Sequence, residues 1–204
     1  MKVALIGITG RQGSRLATEL LSRGHEVTGI ARNTANVAAQ KGLTVKEGDA
    51  TQPSSLVPLI AGHDAVISAG KFQSSNAAAL TSAVAQGGVK RLLVVGGAAS
   101  LEAVPGKRLL DSPEFPEAYR PEATAGAAFL DALRQGDQTV DWTFLSPPAL
   151  LEPGTRTGKY RLGTDNLIVD AAGKSSISME DYAIALVDEL EKHAHSRKRF
   201  SVGY

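Results

Sequence analysis

The chain has 204 residues, with 22 Lys and Arg against 21 Asp and Glu, and its formal net charge is +1 at pH 7. This length suits one α/β domain with a sizeable core. The absence of cysteine excludes disulfides, thiolate catalysis and cysteine-based metal sites. The balanced charge and the lack of any apolar run near the roughly 20 residues of a membrane span argue against nucleic acid and membrane partners. We therefore expect a cytoplasmic protein.

The strongest pattern lies in residues 1–13. Residues 2–8 form an almost uninterrupted apolar run, which is typical of a strand buried on both faces of a parallel sheet. Three glycines follow, and then a helical pattern of leucines begins. Strand, glycine-rich turn and helix in this order predict a dinucleotide site, in which helix N–H groups face the pyrophosphate. The alternative is a glycine-rich turn without a ligand. The predicted cofactor contacts are Gly7, Thr9, Gly10, Arg11, Gln12 and Gly13.

The glycine spacing, Gly7-x-x-Gly10-x-x-Gly13, resembles that of the short-chain dehydrogenase/reductase superfamily, in its atypical and extended branches. The resemblance implies an α/β fold of the Rossmann type: a doubly wound parallel sheet of about seven strands, with helices on both faces. We expect residues 1–204 to form a single NAD(P)-binding domain.

The second strand, predicted over residues 26–31, ends in Arg32 and Asn33 without a carboxylate. An acidic residue at this point would bind the ribose 2′-hydroxyl, whereas arginine accommodates a 2′-phosphate. Arg32 is therefore predicted to bind the 2′-phosphate of NADP(H), and Arg11 is a second candidate. The alternative is that Arg32 only ends a strand in water.

A short helix is predicted over residues 34–40 and a third strand over 43–46. The following Asp49 and Ala50 resemble the element of this superfamily that contacts adenine, although Asp49 is nearly as well explained as a turn cap. After a helix over 53–61, the fourth strand is predicted over residues 64–68. Because the carboxyl ends of the strands carry the ligand in such sheets, three residues there are expected to approach the cofactor's second half: Ser68, Ala69 and Gly70.

The second half of the chain continues the alternation. We predict helices over 74–86, 121–135 and 179–192, the last capped by Ser178, and strands over 90–95, 140–145 and 200–202. Gly96 and Gly97 follow the fifth strand and are expected to contact the cofactor. Pro147 follows the sixth strand, and the resemblance implies that it lies near the nicotinamide. Residues 97–116 lack periodicity and are predicted to form a substrate lid. The alternative is that the apolar side chains of this segment only pack it onto the domain.

Three smaller features complete the pattern. A β-hairpin near the C-terminus is predicted from residues 160–162 and 167–169. The basic cluster 197–199 is expected to be a solvated turn. The four histidines show no metal-ligand spacing, so no metal site is expected.

The superfamily's usual catalytic pair is a tyrosine with a lysine four residues later, helped by a serine after the fifth strand. Tyr119 is the obvious tyrosine, yet Ala123 stands where the lysine is expected, and Ser100 comes later than the usual serine. A tyrosine without a nearby cation is a poor acid–base catalyst at neutral pH. Tyr119 and Ser100 are weak catalytic candidates only.

A flavin needs an enzyme acid less than a carbonyl substrate does, because its other nitrogen exchanges protons with solvent. The chain as a whole resembles the NAD(P)H-flavin reductase-like atypical branch, similar to the biliverdin reductase B and NmrA-like groups. This resemblance implies an NADPH-dependent oxidoreductase, preferring NADPH over NADH, that transfers a hydride to FMN, FAD or a quinone. The alternatives are a non-catalytic NmrA-like redox sensor and an enzyme like the sugar-nucleotide epimerases and dehydratases. We expect the partner to be a small-molecule hydride acceptor and the protein to be a monomer or homodimer.

Overall fold

The computed structural model describes residues 1–204. The strands are β1 (Lys2–Ile6), β2 (Glu26–Ala31), β3 (Leu43–Glu47), β4 (Ala65–Ser68), β5 (Arg91–Val95), β6 (Glu102–Val104), β7 (Lys107–Arg108), β8 (Asp141–Ser146), β9 (Leu150–Glu152), β10 (Arg161–Gly163), β11 (Ser176–Ser178) and β12 (Lys198–Gly203). The helices are α1 (Arg11–Ser22), α2 (Pro53–Ile60), α3 (Ala77–Gln86), α4 (Arg120–Gln135) and α5 (Met179–Lys192).

The main sheet has eight strands in the order β10-β12-β8-β5-β4-β1-β2-β3. Seven of them run parallel, and only β10 is antiparallel to its neighbour β12. The strand order changes direction at β1, which lies between β4 and β2. The predicted α/β fold with a mostly parallel, doubly wound sheet is confirmed. In such a sheet, ligands bind at the carboxyl ends of the strands beside this switch point.

Helices cover both faces of the sheet, which explains the continuous apolar runs of the strands. On one face, α1 and α5 close a cluster of 21 buried residues that includes Leu16 and Tyr182. On the other face, α2, α3 and α4 close a cluster of 18 buried residues that includes Trp142. None of the helices is long and apolar enough to cross a membrane.

Three local predictions are wrong. The first is the hairpin of residues 160–162 and 167–169. Its first arm, β10, pairs with β12 instead, with Arg161 opposite Gly203, and residues 167–169 form no strand. The nonlocal pairing adds an edge strand to the large sheet, which a separate two-stranded ribbon cannot match in stability.

The second is the helix over residues 34–40, which form only a turn and extended chain. The side-chain Oδ1 of Asn33 accepts the N–H of Ala35 at 3.0 Å. The N–H of Val37 also donates to the carbonyl oxygen of Thr34 at 3.0 Å, so one turn forms and is not continued. A segment of seven residues that contains threonine, asparagine and valine is too short, and too weak in helix propensity, to form a stable helix.

The start of α5 is capped by Ser178, as predicted. Ser178 Oγ accepts the N–H of Asp181 at 3.0 Å. Burial opposes ionisation of Asp181, but hydrogen bonds from Thr157, Gly158 and Tyr204 outweigh it and hold the pKa of this carboxyl below its usual range. These bonds tie the segment after β9 to α5, close to the N-terminus of α1.

Candidate functional site

The glycine turn between β1 and α1 is dictated by contacts that no side chain tolerates. Gly7 has φ +87°, and a Cβ there would lie 2.8 Å from the carbonyl oxygen of Ala69. A Cβ on Gly13 would lie 2.0 Å from the carbonyl oxygen of Gly7. Gly10, the N-cap of α1, is less crowded, at 3.2 Å from the same oxygen. Gly7 and Gly13 therefore shape the turn, while Gly10 leaves its outer side open.

The turn exposes unsatisfied donors. Gly10 has no side chain to cap α1, and the N–H groups of Arg11, Gln12 and Gly13 have no main-chain or side-chain acceptor. No acidic residue occupies the first turn. Aligned N–H groups with the positive end of the helix dipole behind them form an anion site.

Gln12 fixes this helix start from below. Its side chain is buried, and Nε2 donates to the carbonyl oxygen of Met179 at 3.0 Å. Its Oε1 is buried without a hydrogen-bond donor. Arg15 adds a second link, with Nε 2.6 Å from Glu180 Oε1. The N-termini of α1 and α5 are thus held together beneath the turn.

The residues at the ends of β2 and β3 lie beside one another. Arg32 is exposed, whereas Asp49 and Ala50 are half-buried. The pKa of Asp49 is lowered by the N–H of Thr51, which donates to Oδ1 at 2.9 Å, and also by the charge of Arg32. Asp49 therefore does cap a turn, and Arg32 is near it. Arg11 begins α1 and is exposed.

An apolar cavity of about 620 Å³ opens at the carboxyl ends of β4 and β5. The cavity is bounded by the loop after β4, by residues 95–100, by part of the segment 109–116, by the first half of α4 and by residues 149–150. Of the predicted cofactor residues, Gly70, Gly96 and Gly97 line it. Ser68 is buried at the end of β4, Pro147 is buried just after β8, and Ala69 is half-buried beside Gly7. Residues 97–116 form much of one wall, and their movement as a lid stays a prediction.

Phe72 forms the aromatic wall of the cavity, and Glu122 holds it there. Glu122 Oε1 accepts the N–H of Phe72 at 2.6 Å, and Oε2 accepts the N–H of Gln73 at 3.1 Å. The Phe72 ring packs on Phe129, with centroids 5.3 Å apart, and stacks on Phe144, with centroids 5.9 Å apart. Because Glu122 serves as an acceptor for two main-chain groups, it is committed to positioning this wall.

The two catalytic candidates both line the cavity. The side chain of Tyr119 is 68% exposed at the mouth, and its hydroxyl has no hydrogen-bond partner. Ala123 lines the cavity one helical turn further along. No lysine lines the cavity, so the structure does not supply the tyrosine–lysine pair.

The third wrong prediction concerns Arg199, assigned to a solvated turn. Arg199 lies in β12 with its side chain only 3% exposed, and Nε donates to Asp165 Oδ1 at 2.8 Å. Its Nη1 faces Ser100 and Ser146. Neighbouring Arg197 and Lys198 are exposed. The local sequence gives no signal for this burial, because the partners come from distant parts of the chain.

Residues 7–193 match the protein family described as NAD(P)H-binding. This match spans most of the chain and begins at the first glycine of the turn. The chain belongs to the NAD(P)H-binding family.

Three similar proteins match this chain over nearly its whole length. The uncharacterised protein YwnB of Bacillus subtilis is 42% identical over 212 residues, covering 99% of this chain and 98% of its own. A candidate epimerase from Bacteroides thetaiotaomicron is 42% identical, with a TM-score of 0.94, covering 100% of this chain and 96% of its own. A candidate NADH-flavin reductase from Streptococcus pneumoniae is 36% identical, with a TM-score of 0.84, covering 100% and 99%. The predicted resemblance to NAD(P)H-flavin reductase-like proteins is confirmed.

Gly96 and Gly97 follow β5, but only Gly96 is tightly packed. A Cβ on Gly96 would lie 2.4 Å from Phe144 Cε1 and 2.5 Å from the carbonyl oxygen of Leu145, whereas a Cβ on Gly97 has only Phe72 Cε2 nearby, at 3.7 Å. We predict that Gly96→Ala lowers the free energy of unfolding by about 3 kcal/mol, while Gly97→Ala changes it by less than about 1 kcal/mol. Urea unfolding of both variants measures the difference. Equal stabilities would contradict the packing described for Gly96.

Proposed function

We propose that this protein is an NADPH-dependent reductase that transfers a hydride to a planar conjugated acceptor, a flavin or a quinone. The observation that carries the proposal is the apolar cavity of about 620 Å³ beside the glycine turn, with an aromatic wall at Phe72. A cavity of this size is typical of a small-molecule site. Its position at the carboxyl ends of the strands is where this fold brings cofactor and acceptor together.

The residues present fit a dinucleotide. Three free N–H groups at the start of α1 suit a pyrophosphate, and the outer side of Gly10 gives it room. We assign the adenosine end to Arg32, Asp49 and Ala50, and the nicotinamide end to Ser68, Ala69, Gly70, Gly97 and Pro147, with Thr9 and Arg11 beside the phosphates. Bound NADPH would supply the hydride, and the protein's part is to hold donor and acceptor in contact.

The lining of the cavity favours a flat apolar acceptor. Its aromatic side chains are Phe72, Phe115 and Tyr119, and its carboxylates are Glu114 and Glu122. Glu122 is occupied by main-chain donors. Aromatic faces and small residues stack against a conjugated ring system. Because the mouth is open at Tyr119, protons can reach the reduced acceptor from water, and no enzyme acid is required.

An epimerase is the second candidate, favoured by the similarity to the candidate epimerase of Bacteroides thetaiotaomicron. Two observations favour the reductase. Tyr119 lacks the cation that would make it an acid–base catalyst. The cavity also offers few polar groups for the hydroxyls of a sugar, and unpaired hydroxyls are costly to bury.

The variant Tyr119→Phe tests whether hydride transfer needs an acid supplied by the protein. If hydride transfer needs no enzyme acid, the variant should oxidise NADPH with FMN or 2-methyl-1,4-naphthoquinone within tenfold of the wild-type rate, less than about 1.4 kcal/mol in the barrier. Absorbance at the reduced nicotinamide band under anaerobic conditions measures the rate. A thousandfold loss with NADPH binding intact would make Tyr119 catalytic. NADPH binding without reduction of any acceptor would favour the redox sensor.

Cofactor choice is tested with Arg32→Asp. A charge-assisted bond to the 2′-phosphate contributes about 1.5–3 kcal/mol, so wild type should bind NADPH about 10- to 150-fold more tightly than NADH. The aspartate removes the attraction and adds repulsion, so the preference should turn to NADH. Calorimetry gives both dissociation constants. Lys90→Asp is the control, since it makes the same charge change at an exposed residue just before β5. A ratio altered equally by both variants, or by neither, would show that Arg32 does not contact the phosphate.

A further inference from the structure

A buried cation lies directly behind the cavity. The Arg199 side chain is 3% exposed, while its carboxylate partner Asp165 is 55% exposed. Asp165 also accepts from Arg134 Nη2 at 3.2 Å. The Nε and Nη2 side of Arg199 is therefore paired with a carboxylate that is exposed to water and also binds Arg134. Burial of a charge is costly unless its hydrogen bonds are made.

The other end of the guanidinium points to two serines. Nη1 lies 3.4 Å from Ser100 Oγ and 3.4 Å from Ser146 Oγ. Ser146 is fully buried at the end of β8, whereas Ser100 lines the cavity. The Ser100 hydroxyl donates to no protein acceptor. Since the arginine can only donate, its approach occupies a lone pair of Ser100 and leaves the hydroxyl proton for another acceptor.

We propose that Arg199 is a positioning residue that orients Ser100 to donate a hydrogen bond to an oxygen of the hydride acceptor. The inference rests on the proposed function and narrows the acceptor to one whose reducible position is conjugated to a carbonyl. A hydride adds two electrons to the acceptor, the nicotinamide is oxidised, and negative charge develops on the conjugated oxygen. Ser100, polarised by the buried cation, stabilises that oxyanion until water protonates it.

A purely structural role for Arg199 makes a different prediction. If Arg199 only ties Asp165 to β12, its loss should reduce stability without depending on Ser100. If it acts through Ser100, removing either residue should remove the same effect, so the two substitutions are not additive. Ser146 provides the matched control, since it faces the same Nη1 at the same distance but does not line the cavity.

The experiment compares Ser100→Ala, Ser100→Thr, Ser146→Ala, Arg199→Met and the Ser100→Ala/Arg199→Met double variant. With 2-methyl-1,4-naphthoquinone, we expect kcat to fall ten- to a hundredfold in Ser100→Ala and Arg199→Met, and no further in the double variant. The KM for NADPH should stay within threefold. Ser146→Ala should keep the wild-type kcat. Ser100→Thr keeps a hydroxyl group and should therefore retain most of the wild-type kcat. Equal effects of the two serine variants, or additive losses in the double variant, would overturn the proposal.

A binding measurement keeps this inference separate from the proposed function. 4-Hydroxycoumarin is a planar enol whose anion carries charge on a conjugated oxygen, so it probes the site without turnover. With the NADP-saturated protein, Ser100→Ala and Arg199→Met should weaken its binding about tenfold, and Ser146→Ala should not. If wild type reduces no acceptor, the proposed function fails and this pattern alone decides the inference. Binding unchanged in all variants, or absent from wild type, would overturn it.

Discussion

The structure depends on the close approach of main-chain atoms at the glycine turn. A Cβ on Gly13 would lie 2.0 Å from the Gly7 carbonyl oxygen, and one on Gly7 would lie 2.8 Å from the Ala69 carbonyl oxygen. This contact brings the start of α1 against the ends of β1 and β4. It leaves helix N–H groups without partners, and unpaired donors of this kind favour an anion. The turn therefore couples the packing of the sheet to the binding of a dinucleotide.

The rest of the site is built around that turn by elements far apart in sequence. Met179 and Glu180 of α5 hold the start of α1 through Gln12 and Arg15. On the other side, Glu122 of α4 holds the loop that carries Phe72. The contacts from α5 thus support the start of α1, and the contact from α4 supports the apolar wall of the cavity. This division suits a reaction in which the protein mainly orients two bound molecules.

The parts of the structure with local signals are predictable from the sequence. The glycine turn needs positions three residues apart, and Ser178 caps the helix that follows it directly. Nonlocal features are not predictable in this way. The pairing of β10 with β12 depends on a strand about forty residues away, and Arg199 is buried by Ser100, Ser146 and Asp165. Residues 34–40 form a single turn instead of the predicted helix, because a segment this short has too little helix propensity to continue without packing. The predicted contacts between individual site residues and the cofactor stay predictions.

The proposed reaction requires the cavity to hold a planar acceptor against one face of the nicotinamide. The most direct test oxidises NADPH deuterated at either the pro-R or the pro-S position of C4, with FMN or 2-methyl-1,4-naphthoquinone as acceptor, and measures the label in the product NADP by mass spectrometry. A fixed geometry predicts complete loss of label from one epimer, with a primary isotope effect, and complete retention in the other. Equal loss of label from both epimers, or no oxidation of NADPH at all, would contradict the account.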